Sequence, residues 1–203
     1  MLRFIAEFLG HFHPVIVHLP IGILLLASLF YLLASTDRYQ ALRPAVSLSL
    51  LIGVISAVVA CLTGWLLSTT GDYDPNAVGN HQWLGIATAV VAGISYACER
   101  KKVKYLSWVI AVLVLMITFT GHLGGSLTHG EGYLTEAFNN YSGSGESVAT
   151  IENVQEAMVY DDVIRPILAT KCYSCHGKRK QKGGLRLDEK DLILKGGEDG
   201  VVV

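Results

Sequence analysis

Two cysteines and a histidine in the C-terminal part of the sequence could do redox chemistry. Cys172 and Cys175 are separated by two residues, and His176 follows directly. Two thiols one helical turn apart can each bond to the same porphyrin, and the adjacent imidazole can then reach the iron. The spacing therefore predicts a c-type haem, attached covalently through both cysteines, with His176 as the proximal iron ligand.

Two other uses of paired cysteines are weaker alternatives. A structural zinc site needs a second pair of ligands, and neither Cys nor His follows His176 in the sequence. A redox dithiol of the thioredoxin type needs a βαβ setting, which the sequence does not predict. The remaining cysteines, Cys61 and Cys98, lie in apolar segments and are interpreted as small buried hydrophobic side chains.

The segments that must position these residues differ sharply in charge. The 203 residues are 51% hydrophobic and 16% charged, whereas a soluble domain is about a quarter charged. Residues 1–140 carry 14 charges, and residues 141–203 carry 19. A net charge of −1 cannot neutralise phosphates, which excludes nucleic-acid binding. The split also excludes a single soluble globule and a disordered chain, and it favours a membrane part joined to a small soluble part.

Four apolar stretches could cross a bilayer, which takes about 20 mostly apolar residues. They are residues 14–34, 44–67, 81–98 and 105–123. Because a bilayer core offers the backbone no water, and strand-like alternation is absent, the stretches predict helices. The sequence thus predicts an all-α protein: a four-helix transmembrane bundle followed by a small α-helical c-type cytochrome domain.

Composition also places the domain boundaries. Residues 1–138 form the predicted transmembrane domain, and residues 139–146, which are polar and rich in Gly and Ser, predict a flexible linker. Residues 147–203 form the predicted cytochrome domain. Its first part has a helical spacing of apolar residues, which we expect Pro166 to interrupt.

Basic residues in the loops predict the orientation. Residues 99–104 carry four basic side chains, the first loop carries Arg38 and Arg43, and residues 71–80 carry none. Basic loops face the cytoplasm. We therefore predict a multi-pass protein of the bacterial cytoplasmic (inner) membrane. Both termini and the haem c domain lie on the periplasmic side, where bacterial c-type haem is attached.

Six further histidines fall at or near the predicted outer ends of the helices. They are His11, His13, His18, His81, His122 and His129. One interpretation is a site for a b-type haem or a metal ion, since neutral imidazole suits both. His18 and His122 are the first choice as ligands because they lie within the helices, and His13 and His81 are reserves. The alternative is that these histidines hydrogen-bond to headgroups, backbone or one another.

Residues 161–168, 172–177, 181–188 and 195–200 resemble the planctomycete-type cytochrome c family. The resemblance implies a helix before the attachment turn, a glycine-rich stretch around the haem edge and a distal Met well downstream. All three methionines precede His176. We therefore leave the sixth iron ligand open and expect the cytochrome domain to be incomplete at its C-terminal end.

Residues 11–22, 64–65, 81–85 and 121–125 resemble an uncharacterised bacterial family of four-helix membrane domains. That family occurs fused to planctomycete-type cytochrome domains. The resemblance implies the architecture of residues 1–138 and brings no established activity.

Together these features predict a membrane-bound c-type cytochrome that carries single electrons between a membrane donor and a periplasmic acceptor. A second, b-type haem in the bundle is an optional part of this route. The expected partners are the lipid bilayer and redox proteins or a larger membrane complex. The alternative is a membrane anchor or assembly subunit of such a complex, in which only the haem c module is redox active. An enzymatic role such as quinol oxidation is the weaker hypothesis.

Overall fold

The computed structural model describes residues 2–69, 73–129, 158–178 and 180–202. The chain divides into two compact units. Unit 1 comprises Met1–Thr70 and Gly79–His122, and unit 2 comprises Gly71–Val78 and Leu123–Val203. The predicted linker, residues 139–146, lies outside the described residues, as do the chain segments that flank it. The domain boundary at this position therefore stays a prediction.

Helices make up most of the described N-terminal part. They are α1 (Leu2–Gly10), α2 (His13–Ile16), α3 (His18–Leu33), a 3₁₀ helix (Asp37–Leu42), α4 (Arg43–Ser68), α5 (Pro75–Arg100) and α6 (Leu106–His129). Each of the four predicted apolar stretches lies on a long helix, with α2 and α3 together accounting for the first.

Two of these helices extend beyond the apolar stretches that predicted them. α5 begins at Pro75 rather than at residue 81, because the Asp74 carboxylate accepts a hydrogen bond of 2.9 Å from the Ala77 N–H and caps the helix. Proline suits the first turn, where a missing N–H costs nothing. α6 continues to His129, past the predicted end at residue 123. Hydropathy marks where a helix is apolar, whereas caps and turns decide where it begins and ends.

The four long helices pack around one apolar core. Its buried members are Leu24 and Ala27 of α3, Val46 and Leu50 of α4, Ala92 of α5, and Leu113 and Ile117 of α6. The outer faces of these helices are also apolar: Leu29, Ile55, Trp108 and Phe119 are all exposed. A helix that is apolar all round suits a lipid environment. The predicted all-α architecture with a helical bundle is confirmed.

Three described segments are long and apolar enough to cross a membrane, judged by length and composition: Phe4–Leu33, Asp37–Ser68 and Leu106–His129. The chain therefore has the character of a membrane protein. α5 does not belong to this set, although its 26 residues would extend about 39 Å. Its first turns carry Asn76, Asn80 and Gln82, which lower its mean hydropathy. The predicted number of four membrane spans therefore stays a prediction.

One end of unit 1 contains an ion pair that the loop charges did not predict. The Glu99 side chain is only 8% exposed, and both of its oxygens are paired with Arg43, at 3.1 Å from Nε and 3.2 Å from Nη2. The Arg43 guanidinium also lies 5.2 Å from the centre of the Tyr31 ring. A carboxylate is buried only when it is paired. The contact therefore holds the start of α4 against the end of α5.

Unit 2 contains short helical elements around the cysteine motif. They are a π-helix (Val159–Ile164), α7 (Arg165–Lys171), α8 (Tyr173–His176), a 3₁₀ turn (Lys182–Gly184) and α9 (Lys190–Lys195). The helical region changes character next to Pro166, as the sequence predicts: the π-helix ends at Ile164, and α7 begins at Arg165 with the proline in its first turn.

The core generates a stability prediction. Leu50→Ala should lower the free energy of unfolding by about 2–5 kcal/mol, because it leaves a cavity between helices. Leu48→Ala is the matched control, since Leu48 lies on the same helix but is 60% exposed, whereas Leu50 is 0% exposed. Thermal unfolding of the detergent-solubilised protein measures both. Equal shifts in the two variants would contradict the packing described for α4.

Candidate functional site

The two cysteines of the motif lie on a single turn of helix. The Cys172 carbonyl accepts hydrogen bonds from the N–H groups of Cys175, at 3.1 Å, and His176, at 2.8 Å. The turn follows α7 directly, and the Cys172 N–H donates a hydrogen bond of 2.8 Å to the Leu168 carbonyl of that helix. Both thiols are half-buried and neither forms a disulfide. Two half-exposed thiols one turn apart can bond to one planar group, as the sequence spacing predicts.

His176 is held by an extended segment later in the chain. Its Nδ1 lies 3.2 Å from the Leu185 carbonyl oxygen, and its own carbonyl accepts the Leu187 N–H at 2.7 Å. A carbonyl oxygen can only accept, so Nδ1 carries the proton and donates. In the neutral ring this leaves Nε2 as the nitrogen that can bind a metal.

A glycine-rich turn lies beside this segment. Gly183 and Gly184 have φ angles of 62° and 67°, which side chains other than glycine rarely adopt. This turn places the Gly183 carbonyl 2.8 Å from the Glu198 N–H, which joins the 196–200 turn to the motif region. The two glycine-rich stretches noted in the sequence therefore pack against one another.

Charged side chains stabilise the rest of unit 2. Arg186 binds Asp188 through two hydrogen bonds of 2.9 and 2.7 Å, and Glu189 through one of 3.0 Å. These hydrogen bonds, chiefly those to Asp188, raise the pKa of Arg186 above its ordinary value. Lys190 pairs with Asp161 at 3.1 Å and lies 4.2 Å from the centre of the Tyr160 ring. Together they connect α9 to the π-helix, upstream of the cysteines.

The motif residues fit a covalently bound haem. A metal-binding histidine usually donates its other ring N–H to a carboxylate, a backbone carbonyl or water, which fixes the tautomer and the ring orientation. The His176–Leu185 hydrogen bond is an interaction of this type. Cys172, Cys175 and His176 are thus the residues in unit 2 that could hold such a group.

The histidines of unit 1 are arranged differently from their predicted ranking. The structure brings together the two reserves, His13 and His81, whose ring centres lie 6.2 Å apart at an interplanar angle of 76°. The first choices, His18 and His122, are both exposed. His18 Nδ1 lies 3.3 Å from the carbonyl of Val15 in its own preceding turn. The first-choice pairing therefore gains no support from these positions.

The remaining two histidines are also exposed. His11 Nδ1 lies 2.6 Å from the Glu7 carbonyl, one turn earlier, and His129 ends α6. No group of three or more His, Cys, Asp or Glu residues that could hold a metal ion occurs within the described part of the chain. The sequence positions of the six histidines did not single out His13 and His81 as a pair, because their pairing depends on how α2 and α5 pack.

Comparison with known proteins finds a family similarity in the C-terminal part. Residues 172–203 match the family model of Planctomycete cytochrome C. The match supports a c-type cytochrome domain in this part of the chain, and such a domain implies covalently bound haem c. The resemblance of residues 1–138 to a membrane-domain family is not covered by this match and stays a prediction. Neither the curated proteins nor the solved structures include a match to the chain.

The turn after His176 generates a second prediction. A Cβ atom on Gly177 would lie 2.5 Å from the Tyr173 carbonyl oxygen, so Gly177→Ala should force the turn open at a cost of about 1–3 kcal/mol. The amides of Gly177 and Leu187 should then exchange roughly 5- to 150-fold faster in hydrogen-exchange mass spectrometry. Lys178→Ala, at an exposed neighbouring position, should leave the exchange unchanged. Unaltered exchange in the Gly177 variant would contradict this geometry.

Proposed function

We propose that the protein is a membrane-bound c-type cytochrome that carries single electrons between a membrane donor and a periplasmic acceptor. The observation that carries the proposal is the hydrogen bond between His176 Nδ1 and the Leu185 carbonyl, beside two thiols on one turn. This arrangement supplies two covalent attachment points and one oriented imidazole nitrogen. A thioredoxin-type dithiol does not require a histidine held in this way, and a structural zinc site would need further ligands, which no group of three or more His, Cys, Asp or Glu among the described residues supplies.

Each residue has a separate role in the proposal. Cys172 and Cys175 form the two thioether bonds, and His176 Nε2 is the proximal ligand. Bound haem supplies a one-electron iron couple. The Leu185 carbonyl fixes the direction of the imidazole and increases its basicity, which favours the more highly charged oxidised iron and lowers the reduction potential. The sixth ligand is not assigned.

The membrane part of the proposal follows the loop charges. Four helices cross the inner membrane, and both termini face the periplasm. The haem c domain is then accessible to soluble electron acceptors of the periplasm. The Arg43–Glu99 end of unit 1, with the basic residues 100–104 next to it, is then the cytoplasmic end. The opposite end, which contains His13 and His81, is periplasmic and could hold a second haem. Redox proteins or a larger membrane complex are the proposed partners.

The alternative function is an anchor or assembly subunit whose only redox group is haem c. The exposed apolar faces of α3, α4 and α6 are compatible with this role, since lipid or a neighbouring subunit could cover them. The two proposals differ in whether unit 1 contains a redox group of its own.

Covalent haem attachment is the central test of the proposal. The protein produced in a bacterial host with periplasmic cytochrome maturation should stain for haem on a denaturing gel and gain the mass of one haem. Cys172→Ala/Cys175→Ala should lose both signals, because no thiol remains in the motif. The matched control is Cys61→Ala/Cys98→Ala, which should retain them. Covalent haem that survives the first double substitution, or disappears in the second, would refute the assignment.

The orientation and the number of spans are tested by reporter fusions. Alkaline phosphatase fused after Val202 should be active, since that enzyme folds only after export, and a fluorescent protein inserted after Lys101 should fluoresce. If α5 did not cross the membrane, the C-terminal part would face the cytoplasm, and phosphatase at that position would be inactive. That result would leave three spans and would also place the cysteine motif on the wrong side for haem attachment.

A further inference from the structure

Two imidazoles from different helices meet at one end of unit 1. His13 lies on α2 and His81 on α5, and their ring centres are 6.2 Å apart with the planes nearly perpendicular. Each ring is also held by a third element. His13 Nδ1 lies 3.0 Å from the Ala60 carbonyl of α4, and His81 Nδ1 lies 3.2 Å from the Thr120 carbonyl of α6. Four helices therefore fix the positions of two half-buried rings.

These hydrogen bonds determine which nitrogen of each ring can bind a ligand. A backbone carbonyl only accepts, so Nδ1 of each ring donates to it. His13 Nδ1 also lies 3.4 Å from Thr63 Oγ1, but that hydroxyl donates to the Val59 and Ala60 carbonyls and so does not compete as a donor. Nε2 of each neutral ring then has an unshared electron pair. A pair of histidines placed only to connect helices would need no common tautomer, whereas a pair of metal ligands needs this one.

The separation of the rings suits a shared iron atom. A bond of about 2.0 Å from a transition metal to each nitrogen, with roughly 1.1 Å from nitrogen to ring centre, puts two opposed imidazole rings about 6.2 Å apart. The ring centres of His13 and His81 are already at that distance. The distance between the ring centres therefore fits a single iron atom between the two imidazoles.

The number of available ligands distinguishes haem iron from a bare ion. Zinc and similar ions take three or four protein ligands, and no third histidine, cysteine or carboxylate completes such a group within the described residues. Haem iron takes four nitrogens from the porphyrin and needs only two axial ligands from the protein. Two imidazoles without a third ligand therefore fit haem.

Glycines next to the pair allow close approach to the helix backbones. Gly64 of α4 faces His13, and a Cβ at that position would lie 2.7 Å from His13 Cε1. Gly85 lies one turn after His81 on α5, where the nearest atom to an added Cβ would be Thr120 Cγ2 at 3.9 Å. Gly121 follows Thr120 on α6 and has no such neighbour within 4 Å. The His13 ring therefore packs directly on the α4 backbone, and Gly85 and Gly121 add no side chains on α5 and α6.

We infer that His13 and His81 are the two axial ligands of a non-covalent, b-type haem at the periplasmic end of the bundle. This assignment replaces His18 and His122 as the ligand pair. It rests on the proposed function, because the second haem would belong to the same electron route, but binding at this site does not require haem c.

Extraction of haem from the purified full-length protein tests the inference. Acid–acetone removes non-covalent haem and leaves haem c on the chain, so the wild type should release about one haem per molecule. His13→Ala and His81→Ala should each reduce the released haem at least tenfold. His18→Ala and His122→Ala, the matched controls, should leave it unchanged. Covalent haem on the same preparations reports whether each variant has folded and matured.

A conservative variant adds a readout that loss of folding cannot imitate. His81→Met exchanges one imidazole for a thioether, so it should retain extractable haem and raise the reduction potential of that haem. In the wild type, the extractable haem should have the low-spin absorption and electron paramagnetic resonance spectra of bis-imidazole iron. High-spin iron in the wild type would contradict the assignment.

Three outcomes would overturn the inference, and none depends on haem c. They are a wild type that releases no haem, a release that depends on His18 or His122 instead, and a stoichiometric metal ion without porphyrin that is lost with His13. Cys172→Ala/Cys175→Ala separates the two proposals, because it removes covalent haem and should leave the extractable haem in place. Extractable haem that persists in wild-type protein without covalent haem would refute the proposed function and support the b-type site. The reverse result would support haem c and favour the anchor role.

Discussion

Polar groups inside an apolar bundle must find their partners within the protein, and this constraint organises unit 1. Where water is absent, an unpaired hydroxyl or imidazole costs several kcal/mol. Most hydroxyls on the long helices satisfy it locally. Ser28, Ser95 and Thr118 each donate to the carbonyl one turn earlier on their own helix. These bonds position nothing beyond their own turn.

Histidine cannot always meet the same constraint locally, and the difference divides the six histidines of the membrane half. The exposed His11 and His18 lie against carbonyls of their own preceding turns. The half-buried His13 and His81 reach carbonyls on α4 and α6 instead. A hydrogen bond to a neighbouring helix fixes the ring in space as well as its tautomer. Burial therefore fixes the orientation of two of the histidines through neighbouring helices, which is what the proposed haem b site uses.

Sequence alone could predict the features that depend on neighbours in the chain. Cys172, Cys175 and His176 are adjacent in sequence, so their common turn follows from spacing. The apolar stretches likewise predicted helices, although the Asp74 cap moved the start of α5 and the first-turn position of Pro166 made it a helix start. The pairing of His13 with His81, and of Arg43 with Glu99, depends on helix packing. His18 and His122 looked like better ligands because position along a helix was the only available criterion.

The same interaction recurs in both units and is the physical basis on which the three iron ligands are proposed. His176, His13 and His81 all donate from Nδ1 to a backbone carbonyl outside their own helix, at 3.0–3.2 Å. A backbone carbonyl is a durable partner, because no substitution of the residue that carries it removes the oxygen. In the neutral form of each ring, this bond leaves Nε2 as the free nitrogen and sets the direction of the ring. Such preorganisation lowers the cost of binding, since neither the tautomer nor the rotamer must change. Both proposed haem sites thus depend on main-chain geometry. Changes in helix packing would affect them more than changes in nearby side chains.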